Sequence, residues 1–205
     1  LEAYKQHSTD ADLIQEADYM LVYSAYEQGR PNAVELLKDY LDVYPASRHA
    51  DEVNFLIGSA HFGQGEYQKA IFWFNESNID MLSPEQQEVY CFRLAYSLLQ
   101  IGDMEKARGY FARIEQIGTK YREASTYYVA YIDYAIGKYN NALVEFTRLK
   151  DLPDYKERSL YYITQIYFIQ NKYEKVISEG KELLASYPDS ENNSEVCRIM
   201  GNAYY

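Results

Sequence analysis

Cysteine, histidine, proline and glycine are scarce in this chain of 205 residues: two, three, five and ten of them. Two cysteines, Cys91 and Cys197, make no disulfide framework. With no CxxC and no histidine close by in sequence, they make no zinc site either. His7, His49 and His61 fall in no metal-ligand spacing. So few glycines and prolines, beside 25% charged and 47% hydrophobic residues, exclude low-complexity disorder and collagen-like repeats. Every apolar run is interrupted by Tyr, Lys or Glu well short of the roughly 18 residues that a membrane-spanning helix needs. Period-two alternation long enough for a sheet is missing as well. A basic-then-apolar leader is also missing, but the chain starts at Leu1 rather than Met, so this says nothing about its compartment.

Two things are abundant. The first is acid: 31 acidic against 20 basic residues give a net charge of −11. Such a surface repels phosphate, which argues against nucleic acid and anionic lipid as partners, and the same charge keeps a helical protein soluble. The second is tyrosine, with 24 residues. Tyr is large, rigid and amphipathic, and serves equally in a core between helices or on a binding surface.

The chain repeats itself. Small loops recur at Gly29-Arg30-Pro31, Gly65-Glu66-Tyr67, Gly102-Asp103-Met104, Gly137-Lys138-Tyr139 and Asn171-Lys172-Tyr173. Each is followed by a small or β-branched residue that opens an apolar stripe: Ala33, Ala70, Ala107, Ala142 and Val176, at intervals of 37, 37, 35 and 34. Phe74, Phe111 and Phe146 lie four positions beyond their Ala, one turn along the same helix face. Segments such as 88–101 and 121–136 carry apolar residues at mixed spacings of three and four, which predicts helices, with second helices over 104–114 and 139–149. Pro45, Pro84, Pro153 and Pro188 sit between units, and Pro31 sits in a first helical turn. Ser83-Pro84-Glu85-Gln86 reads as a capping box. Gly63-Gln64-Gly65 is better read as an interhelical turn than as the start of a phosphate loop, since no strand precedes it.

These features together resemble the tetratricopeptide repeat (TPR) family, whose unit of about 34 residues pairs a helix A with a helix B. Ile57-Gly58-Ser59-Ala60-His61, Leu94-Ala95-Tyr96, Val129-Ala130-Tyr131 and Met200-Gly201-Asn202-Ala203-Tyr204 match its helix A, and the Ala openers its helix B. The resemblance implies an all-α, right-handed solenoid of about five repeats plus a terminal helix. The repeats run over about 12–45, 51–82, 86–119, 121–154 and 156–188, with a partial sixth at 191–205. A single array over 1–205 is expected, as a fragment of a longer chain. Val176 and Gly180 depart from the pattern's Ala and aromatic, so the fifth interface is expected to pack loosely. Cys91 and Cys197 fall at one helix A position three repeats apart, roughly 30 Å by interaxial spacing, far beyond the about 7 Å of a disulfide. Both are expected to be buried free thiols.

No trio of acid, base and nucleophile suggests itself, and the reading is of a non-enzyme without cofactor or metal. The acids at Asp10, Asp12, Asp51 and Glu52 fall near helix starts, where they suit the helix dipole. His61 reads as a packed residue. In the TPR family the A helices line a groove. Aligning repeats two to five places Glu52, Phe55, Ser59 and Phe62 there, then Val89, Phe92, Tyr96 and Leu99, then Ala124, Tyr127, Tyr131 and Tyr134, then Arg158, Tyr161, Gln165 and Phe168. The nine aromatics (Phe55, Phe62, Phe92, Tyr96, Tyr127, Tyr131, Tyr134, Tyr161 and Phe168) form the candidate peptide-binding set, with burial between helices as the competing reading. Only Arg198 with Asn202 resembles the carboxylate clamp of chaperone adaptors, so that role is not expected.

The function that follows is a non-catalytic scaffold that binds a protein or peptide segment in an aromatic groove. The competing readings are a structural spacer or self-assembly module, associating through the array ends, and a substrate-recruiting arm of a larger enzyme. The acidic, tyrosine-rich style resembles bacterial envelope TPR proteins, which points to a periplasmic or envelope location, with the cytoplasm as the alternative.

Overall fold

The computed structural model describes residues 10–117 and 119–204; His7 and Tyr205 lie outside them. Among the described residues the regular structure is helical throughout. Eleven α-helices run in order: α1 Ala11–Glu27, α2 Ala33–Val43, α3 Ala50–Gly63, α4 Tyr67–Asn75, α5 Pro84–Gln100, α6 Met104–Ile117, α7 Arg122–Ala135, α8 Tyr139–Leu149, α9 Pro153–Ile169, α10 Tyr173–Ser186 and α11 Asn193–Ala203. A single 3-10 turn, Ile79–Met81, precedes α5. Odd-numbered helices are the A helices of the repeat and even-numbered ones the B helices.

Local chemistry sets the helix ends. Asp10 caps α1, its carboxylate accepting from the amides of Asp12 and Leu13 at 3.0 and 3.4 Å. Ser83 and Gln86 form the expected capping box: the Ser83 hydroxyl accepts from the Gln86 amide at 3.2 Å, and Gln86 Oε1 accepts from the Ser83 amide at 3.0 Å. Pro84 and Pro153 open α5 and α9, where a missing amide hydrogen leaves nothing unpaired. The A-to-B turns share one closure. Glu66, Asp103, Lys138 and Lys172 each donate an amide back five residues, to His61, Leu98, Asp133 and Tyr167, at 2.7 to 3.0 Å. That closure needs a left-handed residue just before the donor. Gly65, Gly102 and Gly137 supply it, and in the fifth repeat Asn171 does so at φ 57°, as the other residue type that tolerates this region.

The chain divides into two compact units, the first ending at Arg113 and the second beginning at Ile114, within α6. In the first, α1 packs on α2, α2 on α3, α3 on α4, α4 on α5, and α3 on α5. In the second, α7 packs on α8, α8 on α9, α9 on α10 and α10 on α11, while α9 also meets α7 and α11. The repeat positions form the core. Ala70, Ala107, Ala142 and Val176 are fully buried, as are Phe74, Phe111 and Phe146. Small openers let A and B helices approach, and Phe74 and Phe146 then fill the space beside the next A helix. The Phe74 ring lies 5.4 Å from Tyr90 of α5, whose hydroxyl donates to the Phe74 carbonyl at 2.9 Å. Phe146 stacks on Tyr162 of α9 at 4.9 Å and 11°.

Two expectations are corrected. The fifth interface does not pack loosely: Val176 and Leu183 are fully buried, and the Met200 side chain of α11 lies against the Gly180 backbone. A Cβ at Gly180 would fall 2.5 Å from Met200 Sδ. The bulky group comes from the neighbouring A helix instead of the B helix, so the missing aromatic leaves no void. Cys197 is exposed rather than buried, whereas Cys91 is buried, and both are free thiols. Cys91 lies beside Arg113 of α6, the B helix of its own repeat, and burial raises its thiol pKa to about 11, which keeps it protonated and inert.

Candidate protein-binding faces

The aromatic residues fall into recurring contacts. One set joins each A helix to its own B helix: Phe55 with Phe74 at 6.2 Å, Phe92 with Phe111 at 5.7 Å, and Tyr127 with Phe146 at 6.1 Å. A second set joins the end of each A helix to the tyrosine after the turn: Phe62 with Tyr67 at 6.1 Å, Tyr134 with Tyr139 at 5.8 Å, and Phe168 with Tyr173 at 6.4 Å. The repeated Tyr67, Tyr139 and Tyr173 thus brace the last turn of helix A through edge-to-face and tilted contacts, the geometries that aromatic quadrupoles favour.

Phe55 was expected to line a surface, but it is 4% exposed. Its ring lies against Phe74 of α4, which docks beside Gly58 of α3. The other eight candidates are half-buried. In the first unit Phe62, Tyr67 and Tyr96 form a triangle of rings 5.8 to 6.1 Å apart, with the Arg93 guanidinium over Phe62 at 5.8 Å. In the second unit Tyr127, Tyr131 and Tyr134 share one face of α7 and pack against the cluster of Ala130, Ala142, Phe146, Leu149, Ile163 and Ile166. Tyr161 and Phe168 border the neighbouring cluster built on Leu160, Val176 and Leu183.

Tyr162 joins these residues, and the groove alignment missed it because it stands one place off the register of Tyr161. Its ring lies 5.9 Å from Tyr131, 5.1 Å from Tyr134 and 5.2 Å from Tyr161, besides its stack on Phe146. Desolvation raises the pKa of Tyr127, Tyr134 and Tyr162, so these phenols stay neutral across the physiological range. Arg158 lies over the Tyr127 ring at 5.8 Å. Arg198 is held bidentately by Glu195 of its own helix, both bonds 2.7 Å, and is therefore already engaged by a carboxylate.

A polar relay crosses the A helices of the first unit. Tyr19 of α1 donates its hydroxyl to Glu52 Oε2 of α3 at 2.6 Å, and Gln86 of α5 donates to Glu52 Oε1 at 2.6 Å. The His49 ring stacks on Tyr19 at 3.6 Å and 2°. Its Nε2 lies 2.9 Å from Glu16, which also accepts from Arg48 Nη2 at 2.6 Å. The hydrogen bonds from His49 and then Arg48 hold the Glu16 carboxyl below its ordinary value of 4.5. A carboxylate with a lowered folded pKa contributes stability that is present above the unfolded value and lost as pH falls through the folded one. Melting temperature should therefore fall as pH drops below about 4.5, and Glu16→Gln should flatten that part of the profile; an unchanged profile would remove Glu16 from the account.

His61, read from sequence as a packed residue, is buried, with Nδ1 2.6 Å from Glu66 and Nε2 unpartnered. Among the described residues no group of three His, Cys, Asp or Glu side chains is placed to hold a metal ion. None of the described helices is long and apolar enough to cross a membrane.

Alternating helices, small openers and buried aromatic fillers define the class as helical-repeat proteins. The fold is the tetratricopeptide-repeat fold, and residues 90–116 match the Tetratricopeptide repeat family model directly. Solved structures agree. A tetratricopeptide repeat protein from Parabacteroides merdae ATCC 43184 is 16% identical at a TM-score of 0.68, over 93% of this chain and 76% of its own. YrrB, a TPR protein with an unusual peptide-binding site, is 15% identical at 0.70, over 96% of both chains. The pilF protein of Pseudomonas aeruginosa is 19% identical at 0.57, over 90% of this chain and 96% of its own. At such identities the likeness is one of fold. No curated protein sequence matches the chain significantly.

Proposed function

We propose that the chain is a non-catalytic scaffold that binds a polypeptide segment along the aromatic faces of its A helices. The observation that carries this reading is the tyrosine set of the second unit. Tyr131, Tyr134, Tyr161 and Tyr162 stand together on α7 and α9, packed at their bases and half-open at their rims. Such rings are pre-positioned by their neighbours, so a ligand orders little on binding. Neutral phenols add donors and acceptors to apolar area, the composition that interfaces favour.

The test uses a random peptide display library selected on the whole chain. Tyr131 is the probe: it is half-buried, and its ring meets that of Tyr162. Tyr131→Ala should weaken binding of a selected peptide at least about tenfold while helix content and melting stay close to wild type. Marked destabilisation with unchanged binding in the protein that still folds would assign the tyrosines to the core and end this reading.

A further inference from the structure

The proposed reading leaves the chemistry of the partner open, and charge in the first unit narrows it. Residues 1–113 hold 18 acidic and 9 basic side chains, whereas residues 114–205 hold 13 and 11. The acidity of the chain is therefore largely a property of its first unit.

On the A-helix face of that unit only part of the acid is spent on ion pairs with Lys or Arg. Glu16 is answered by Arg48, but Glu52 receives its two hydrogen bonds from the uncharged groups of Tyr19 and Gln86. Its nearest basic group is His49 Nδ1 at 3.9 Å, a ring already stacked on Tyr19. Glu27 ends α1, is exposed, and among the described residues is paired with no Lys or Arg. Between these carboxylates lies Tyr23, 5.8 Å from Tyr19, with Tyr26 one turn further along α1. Both rings are half-buried. Burial first, and then the Glu27 and Glu52 carboxylates, push the Tyr23 phenol above its ordinary value.

We infer that the aromatic face formed by Tyr23 and Tyr26, bounded by Glu27 and Glu52, takes a lysine- or arginine-bearing stretch of the partner polypeptide. This rests on the polypeptide-binding reading above. Basic side chains fit both parts of the face: their aliphatic stems lie on phenol rings and their heads reach carboxylates. Elsewhere in this chain Arg93 and Arg158 already lie over aromatic rings in that manner, at 5.8 Å from Phe62 and from Tyr127. An acidic segment would meet the Glu27 and Glu52 carboxylates, whose charge no Lys or Arg among the described residues offsets, and be repelled.

The experiment sequences the peptides that the display selection enriches on the whole chain and measures one of them against two variants. Enrichment in Lys and Arg over the starting library is expected, with affinity falling as salt rises. Glu27→Gln should weaken binding about threefold to tenfold at unchanged helix content. Among the described residues the Glu27 carboxylate has no bond to lose, so this variant stands even if Glu52→Gln disturbs the Tyr19–Gln86 relay. Peptides without basic residues, or peptides weakened by Tyr131→Ala but not by Glu27→Gln, would overturn the inference and leave the scaffold reading intact. A selection that enriches nothing would overturn both.

Discussion

Phe146→Ala should lower the stability of the second unit by about 3–5 kcal/mol, the usual range for emptying a buried aromatic site. Phe146 is fully buried, stacks on Tyr162, meets Tyr127 edge-on, and lies in the cluster of Ala130, Ala142, Leu149, Ile163 and Ile166. The surrounding helices are tied to one another by loops of a few residues and cannot collapse into the vacancy without breaking other contacts. Urea unfolding followed by far-UV circular dichroism provides the measurement. In an array where stability is a sum over neighbouring repeats, the loss should appear as an earlier transition that involves only part of the helical signal. Phe72→Ala is the matched control: this ring is 56% exposed, two residues from the buried Phe74 on α4, and its removal should change stability by no more than about 0.5 kcal/mol. Equal losses for the two variants would contradict the assignment of the repeat's core face.

Gly58→Ala should destabilise the first unit by about 1–2 kcal/mol, although alanine is the better helix former by about 1 kcal/mol. A Cβ at Gly58 would stand 2.8 Å from Cδ1 and 2.9 Å from Cε1 of Phe74, a rigid ring with no free space around it. Gly180→Ala makes the useful contrast. Its Cβ would meet Met200 Sδ at 2.5 Å and Cγ at 2.9 Å, but a thioether chain with three rotatable bonds can swing away. That variant should lie within about 1 kcal/mol of wild type, helix propensity offsetting the repacking. Combining Gly58→Ala with Phe74→Leu should cost less than the sum of the two single changes, because the methyl then occupies space that the ring has left. Strict additivity would show that the ring and the glycine do not share one packing site.

Much of this was legible before any coordinates. Loop residues, Ala openers and aromatics four positions on recur together because each repeat must solve the same packing problem, and a solution that recurs leaves a period in the sequence. The capping box at Ser83–Gln86 and the left-handed turns are local devices, so their residue types announce them directly. Burial of Ala70, Ala107, Ala142, Phe74, Phe111 and Phe146 followed from that period.

What lay beyond it depended on residues from different repeats meeting. Phe55 reads like Phe92 and Tyr127 in register and meets the Phe of its B helix as they do, yet it is buried where they are half-buried. Gly180 departs from the repeat's aromatic, and Met200, twenty residues on, is seated against it. Tyr162 gained its place among Tyr131, Tyr134 and Tyr161 because α9 lies beside α7, a pairing that no single repeat encodes. The Tyr19–Glu52–Gln86 relay likewise joins three A helices whose residues lie some thirty-odd positions apart. The sequence by itself determined which faces are apolar, because helical periodicity is a property of one segment. Only the tertiary structure decided which of those aromatic rings are covered, since burial depends on the approach of a second helix.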